Sequence, residues 1–232
     1  MKFLLAIFSL IYTVYSNEYD FKNYTVVDGL SESTINVIFE DDKGFLYIGT
    51  ENGLGLFDGL DFFNYKMNVF NETTIFGNNI KSICQDDYGD IWVGTELGLS
   101  KLDTRTRKFK RIVNTKYNLK DIEKIFNDKD GNIWFRNSDG IYKYEQTSNE
   151  VECISCGDNL EINSFSNIYS THSNEILIST FSNLYRYDSD SDTLRSMLNP
   201  NNSTIEISFV TDIIEIDNTL WIGSKKGLIK LP

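Results

Sequence analysis

The chain has 232 residues, 41% hydrophobic and 14% aromatic, with only 2 Pro and 15 Gly, and carries a net charge of −12. This is a globular composition, long enough for one large domain or two small ones, and it excludes disordered and collagen-like classes. So acidic a surface repels phosphate backbones, because nucleic-acid binders gain affinity by displacing counterions with Lys and Arg, and nucleic acid is not expected as a partner.

Met1 and Lys2 precede the apolar run FLLAIFSLIYTVYS, and no acid follows until Glu18. The run is shorter than the ~20 residues of a membrane span and fits the core of an export signal, with Val14 and Ser16 ahead of a cut before Asn17. Residues 1–16 are therefore expected to be a signal peptide, the alternatives being a buried strand or an uncleaved anchor. Its removal leaves no segment to insert in a membrane, so a periplasmic or secreted product is expected.

Next comes YDFKNYTVVDGL, and then the first of five similar units. In that unit the alternation of apolar and polar residues predicts strand a at TINVIFE, a turn at DDKG and strand b at FLYIGT. A turn at ENG leads to strand c, LGLFD, and GLD leads to strand d, FFNYK. Turn glycines supply positive φ, and Asp or Asn beside them bonds the local backbone.

The same phrase returns. Large residues of strand b stand at Tyr47, Trp92, Trp134, Leu177 and Trp221, separated by 45, 42, 43 and 44 residues. An Ile column precedes them (Ile38, Ile83, Ile125, Ile168, Ile213). An aliphatic column follows the b–c turn at Leu54, Leu99, Ile141, Leu184 and Leu228. Four antiparallel strands every ~40–45 residues predict an all-β fold, a β-propeller of about five four-stranded antiparallel blades.

The repeats are placed near 34–66, 79–113, 121–155, 164–198 and 208–232, in a propeller domain covering 17–232. The fifth stops after strand c. Phe21 and Tyr24 parallel Phe62 and Tyr65, so residues 18–26 are expected to supply a strand that completes the last blade and removes an open edge. The five units make either that closed ring or the front part of a larger propeller.

At F-x-x-Y-x-x-x-D-G-L (21–30) and D-x-x-G-x-[IL]-[WY]-[IV]-G-T-x-x-G-L (41–54 and 86–99) the chain resembles the two-component regulator propeller repeat. The resemblance is strong in units one, two and five, weaker in three, where Arg136-Asn137 replaces Gly-Thr, and weakest in four. It implies the periplasmic sensor part of a hybrid two-component system, many of which detect oligosaccharides. The family's kinase and DNA-binding modules are not seen in these residues. A ligand-sensing or interaction module without enzymatic activity is therefore expected. The alternatives are a secreted carbohydrate-active enzyme and a truncated fragment of a larger sensor kinase.

An oligosaccharide or other small ligand is the expected partner, together with a protein partner or self-association. Loops on the b–c side vary most between units, which points to ligand contact by Arg136, Asn137, Asp139, Glu51, Glu96, Lys225 and Lys226. Arg136 either forks onto a ligand carboxylate or sulfate or pairs with Asp139. A second set, Ser82, Lys124, Asn167 and Asp212, is expected to line a wet channel.

The paired turn acids Asp41-Asp42 and Asp86-Asp87 read as structural rather than catalytic, since glycoside hydrolysis needs two acids converging on one bond. His172, the chain's one histidine, reads as a solvated turn residue. Cys153 and Cys156 are read as structural, free or disulfide-bonded, with Cys84 inert. Neither cofactor nor metal is expected, because a zinc site would need a second ligand pair.

Overall fold

The computed structural model describes residues 20–156, 167–180, 183–191, 193–197 and 209–231. Residues 1–16, where the export signal is expected, lie outside them. The alternating units fold as predicted, into five separate antiparallel sheets.

The first holds β1 (Ile35–Glu40), β2 (Leu46–Thr50), β3 (Gly53–Phe57) and β4 (Phe62–Tyr65). The second holds β5 (Ile80–Gln85), β6 (Ile91–Thr95), β7 (Leu99–Asp103) and β8 (Lys108–Ile112). The third is β9 (Lys124–Asn127), β10 (Ile133–Asn137), β11 (Gly140–Glu145) and β12 (Glu150–Cys156). The fourth is β13 (Asn167–Ser170), β14 (Ile176–Ser179), β15 (Leu184–Asp188) and β16 (Thr193–Ser196). The fifth has three strands, β17 (Val210–Ile216), β18 (Thr219–Ser224) and β19 (Gly227–Leu231).

The core lies between sheets, not within one. Tyr47 and Leu56 of the first blade pack against Ile83, Ile91 and Val93 of the second. Trp92 and Leu99 meet Ile125, Ile133 and Phe135 of the third, and Trp134 and Ile141 meet Ile168 and Ile178 of the fourth. Leu177 and Leu184 meet Val210 and Ile222 of the fifth. The large strand-b residue thus packs forward and the Ile column packs backward, which is why a single blade cannot stand alone.

Close approach of blades explains the glycine after the anchor. A Cβ on Gly94 would lie 2.4 Å from Ser82 Oγ, 2.7 Å from Ile122 Cγ2 and 2.9 Å from the Ile122 carbonyl oxygen. Gly94→Val is expected to cost about 1–3 kcal/mol by overpacking, read from a urea titration. An unchanged midpoint would mean that the second and third blades are not so tightly apposed.

The turn acids are structural, as read. Asp86 Oδ1 accepts the amides of Tyr88 and Asp90, each at 3.0 Å, and its Oδ2 accepts Trp92 Nε1 at 2.8 Å. Asp128 does the same in the third blade, with Trp134 Nε1 at 2.7 Å. The second acid of each pair ties neighbouring blades together. Asp42 exchanges bonds with Gln85, its amide donating at 3.0 Å and its carboxylate accepting at 2.8 Å. Asp87 accepts Asn127 Nδ2 at 2.7 Å. His172 is exposed in its turn, its amide 2.6 Å from Glu215 Oε2.

One expectation fails. Residues 20–25 form no strand, residues Val26–Asp28 make a single 3-10 turn capped by Thr25, and among the described residues the last sheet has three strands. The closing strand expected at 18–26 is therefore not seen in its described part, 20–26. Tyr24 packs edge-on against Phe57 at 5.1 Å and Phe62 at 5.7 Å, in the first blade instead. The physical reason is apolar burial: Leu30, Ile48 and Phe57 form a small core with Tyr24 and Phe62, and this holds the segment to the first blade independently of the fifth.

Cys153 and Cys156 are disulfide-bonded across the place where β11 and β12 shift register. Cys84 is buried, and burial pushes its thiol well above the usual range, so it stays protonated and unreactive.

Candidate functional site

The strand-b column ends in a residue that closes the b–c turn. Thr95 Oγ1 accepts the Leu97 amide at 3.2 Å and the Gly98 amide at 3.1 Å. Asn137 substitutes for it: its Oδ1 accepts the amides of Asp139 at 2.9 Å and Gly140 at 3.1 Å. Its Nδ2 donates to the carbonyls of Asn118 at 2.8 Å and Lys120 at 2.9 Å. Asn137 is buried and occupied by its own loop, so it offers little to a ligand.

The other b–c residues separate. Glu96 receives the amides of Asn78 at 3.1 Å and Asn79 at 2.9 Å, binding the preceding loop. Asp139 accepts Asn118 Nδ2 at 2.9 Å. Glu51 is exposed, and the Lys225 ammonium sits 3.8 Å over the ring of Phe209. These residues share one rim, but the structure does not gather them into a pocket.

Arg136 behaves differently. It stands opposite Lys124 in the β9–β10 register and pairs with Glu123 at 2.6 Å, not with Asp139. Its Nε is buried with no hydrogen-bond partner. Lys124, from the channel set, places its ammonium 4.3 Å from the Tyr169 ring centroid. The Tyr169 hydroxyl is likewise buried, beside the Asn167 side chain. Burial pushes its pKa up to about 12, with the Asp212 charge adding to this and the Asn167 hydrogen bond and Arg136 opposing it.

Burial holds the Lys124 ammonium below the ordinary lysine range; nearby Asp212 counters this and Arg136 adds to it. Two cations (Lys124, Arg136), one phenol (Tyr169) and two carboxylates (Glu123, Asp212) from three blades therefore converge near the inner strands. Asn167 of β13 is half-buried on the same side.

The predicted channel column is split. Val37 and Ser82 are packed between blades, Ser82 Oγ lying 3.5 Å from the Ile122 carbonyl, while Lys124, Asn167 and Asp212 keep some exposure. Only the third to fifth blades present polar groups there, because the first two carry tight glycines backed by Ile80 and Ile122. Sequence reasoning missed Tyr169 and Glu123. Tyr169 shares its column with Phe39 and Phe126 and reads as core; Glu123 stands two residues before Ile125, where Asn36 and Lys81 stand in the first two units.

Among the described residues, no group of three or more His, Cys, Asp or Glu could hold a metal ion, and no helix is long and apolar enough to cross a membrane.

The model of the two-component regulator propeller family matches residues 29–52 and 74–96. Histidine kinase P4 of Formosa agariphila is 40% identical over 60 residues, which are 26% of this chain and 4% of that protein. The extracellular domain of a hybrid two-component system from B. thetaiotaomicron superposes with TM-score 0.58 at 19% identity, over 90% of this chain and 35% of that one. Virginiamycin B lyase from Staphylococcus aureus superposes with TM-score 0.64 at 13% identity, over 87% of this chain and 67% of that one.

The chain thus spans about a third of the sensor domain it resembles, and these likenesses establish the β-propeller fold. Residues 29–52 and 74–96 are thus similar to two-component regulator propeller repeats.

Proposed function

We propose that this propeller is an exported recognition module, the sensing part of a signalling system, which binds an acidic oligosaccharide by shape and hydrogen bonding and performs no covalent chemistry. One observation carries the reading: Arg136 Nε, buried and without a hydrogen-bond partner, lies in one cluster with the buried Tyr169 hydroxyl and the desolvated Lys124 ammonium. A buried donor without an acceptor is costly, and a carboxylate or sulfate would satisfy it. A low-dielectric wall strengthens that attraction, and Glu123 holds the guanidinium in place until the ligand arrives. The repeat family and the likeness to an extracellular sensor domain support the sensing role.

Calorimetry with uronic-acid-containing and neutral oligosaccharides tests it. Acidic ligands should bind, and Arg136→Ala should weaken them roughly 10-fold or more, the loss of about 1.5–3 kcal/mol of charged hydrogen bonding. Thermal stability should stay close to that of the parent, since Arg136 packs no core. Identical titrations for the parent and Arg136→Ala would end the assignment. Because Lys124 sheds its proton at a lower pH than an ordinary lysine, acidic-ligand affinity should also fall as pH rises, before the ordinary lysine range is reached, and Lys124→Met should abolish that fall. Turnover of any glycan in the panel would replace this reading with a carbohydrate-active enzyme.

A further inference from the structure

The same cleft occurs at three successive blade junctions. Each is bounded by the strand-b anchor, the strand-c residue opposite it and the end of strand c in the next blade. Between blades one and two, beside Tyr47, Leu56 and Leu102, it holds about 200 Å³. Between three and four, beside Trp134, Lys143 and Tyr187, it holds about 150 Å³. Between two and three, beside Trp92, Lys101 and Tyr144, it opens to about 430 Å³. Only that volume falls in the range of small-molecule sites, roughly 300–1,000 Å³.

The junctions also differ in the residues that strands c and d place opposite each other beside the anchor. In the first blade Leu56 faces Phe63, whose ring lies 5.0 Å from the Arg107 guanidinium. In the third Lys143 faces Glu152 and pairs with it at 2.7 Å. In the second Lys101 faces Lys110, and like charges directly opposite each other destabilise a sheet. The fourth blade has such a pair too, Arg186 and Arg195, but gives each its own acid, Glu175 and Asp188.

The second blade does not. Lys101 is occupied by Asp86 at 2.8 Å, Asp90 at 3.2 Å and Gln146 Oε1 at 3.0 Å. Lys110 reaches the neutral Asn149 Oδ1 at 2.6 Å, an oxygen that also accepts the Tyr144 hydroxyl at 2.8 Å. Among the described residues neither Lys108 nor Lys110 enters a salt bridge.

The acids beside them are engaged elsewhere. Asp90 serves Lys101 and the Thr104 amide at 3.3 Å. Asp103 Oδ1 accepts the turn amides of Arg105 and Thr106, each at 2.9 Å. Counting the groups tied to its walls, the cleft has Lys101, Arg105, Lys108 and Lys110 against Asp86, Asp90 and Asp103. It is a small cationic surplus on a chain of net charge −12. Phe109, Trp92 and Tyr144 form an apolar base, the last two with ring centroids 5.2 Å apart.

We propose that this cleft binds a small organic anion, one carboxylate or phosphate group on a flat apolar body. The oxyanion lies between Lys108 and Lys110, supplying to the second blade the acid that Glu152 supplies to the third. The body lies along the lysine stems and the edges of Phe109 and Tyr144. A polyanion would meet the acidic remainder of the surface, so a molecule of one or two charges is selected. The cleft is reached at the c–d turns, where Thr106 and Asn149 stand, and does not rest on the reading given to Arg136.

Calorimetry on the full chain with benzoate, phenyl phosphate, inorganic phosphate and neutral benzamide tests it. The ring anions should bind, inorganic phosphate at least about 5-fold more weakly than phenyl phosphate, and benzamide not at all. Benzoate as the tighter ligand assigns a carboxylic acid, phenyl phosphate as the tighter a phosphate ester. Lys110→Met should weaken the ring anions at least about 5-fold, whereas Arg136→Ala should leave them unchanged, which separates this cleft from the oligosaccharide site. Lys110→Glu places in the chain the acid that the third blade has. It should abolish anion binding and raise Tm by about 1–4 °C.

Three results overturn the proposal. No heat with either ring anion, or equal affinities in the parent and Lys110→Met, would mean that the lysines hold no ligand. Benzamide binding as well as benzoate would make the cleft an apolar one. A Lys110→Glu variant no more stable than the parent would remove the electrostatic basis.

Discussion

Trp134→Ala should cost about 3–5 kcal/mol, a drop in Tm of roughly 6–20 °C for a domain of this size. The indole is almost wholly buried between the third and fourth blades, meets Tyr187 edge-on at 5.0 Å and donates its Nε1 to Asp128 Oδ2 at 2.7 Å. Truncation leaves a cavity too deep to refill from either sheet and removes a donor from a buried carboxylate. Contacts in such an array run only between neighbours, so weakening one junction should also split unfolding into two steps, blades one to three outlasting four and five. Urea titration followed by far-UV circular dichroism and by Trp92 emission would resolve them. Trp221→Ala is the control, since its indole is only half-buried and has no following blade among the described residues; its cost should be well under half. Equal costs for the two would contradict the forward-packing role of the anchor.

Asp86→Ala should be comparably damaging, by about 3–5 kcal/mol, because it breaks a buried charged network by removing one partner. Its side chain is fully buried and receives two backbone amides, the Trp92 indole and Lys101 Nζ at 2.8 Å. Lys101 would keep one carboxylate, Asp90 at 3.2 Å, and the neutral Gln146 Oε1 at 3.0 Å. Asp86→Asn should rescue little, since its amide nitrogen would face two donors while its oxygen serves the turn. Chemical denaturation of the three proteins decides this, and an Asn variant as stable as the parent would show the charge to be dispensable.

The sign of the pH dependence follows from Lys101. Burial disfavours its charge, but Asp86 and Asp90 outweigh that and hold its pKa above the ordinary 10.5. A raised folded-state pKa gives stability that is fully present below 10.5 and lost as pH rises through the folded value. The difference between the parent and Lys101→Met should therefore be flat through neutral pH and shrink only in stronger alkali.

Much of this protein was legible as a string. The Ile, anchor and aliphatic columns gave strand boundaries within a residue or two in the first unit, where TINVIFE became Ile35–Glu40 and FFNYK became Phe62–Tyr65. The turn acids were legible for the same reason: D-x-x-G is local chemistry, satisfied by amides two and four residues away. The site was legible in pieces. Arg136 stood out as a departure from its column and Lys124 as a member of a polar one, but nothing in the spacing joined them to Tyr169, which reads as core and meets them only because three blades converge. Asn137 looked like a departure as well and proved to do the work of the threonine it replaces.

The sequence by itself determined the unit, its four-strand order and the residues that each blade buries, because all of these follow from alternation, turn chemistry and a repeated apolar pattern. Tertiary structure alone decided where the N-terminal segment rests, with Tyr24 and Leu30 packed on the first blade. The motif at Phe21 and Tyr24 names a strand type without naming its partner. Ring closure depends on the angle between successive sheets, which side-chain packing at every junction sets and no single repeat encodes.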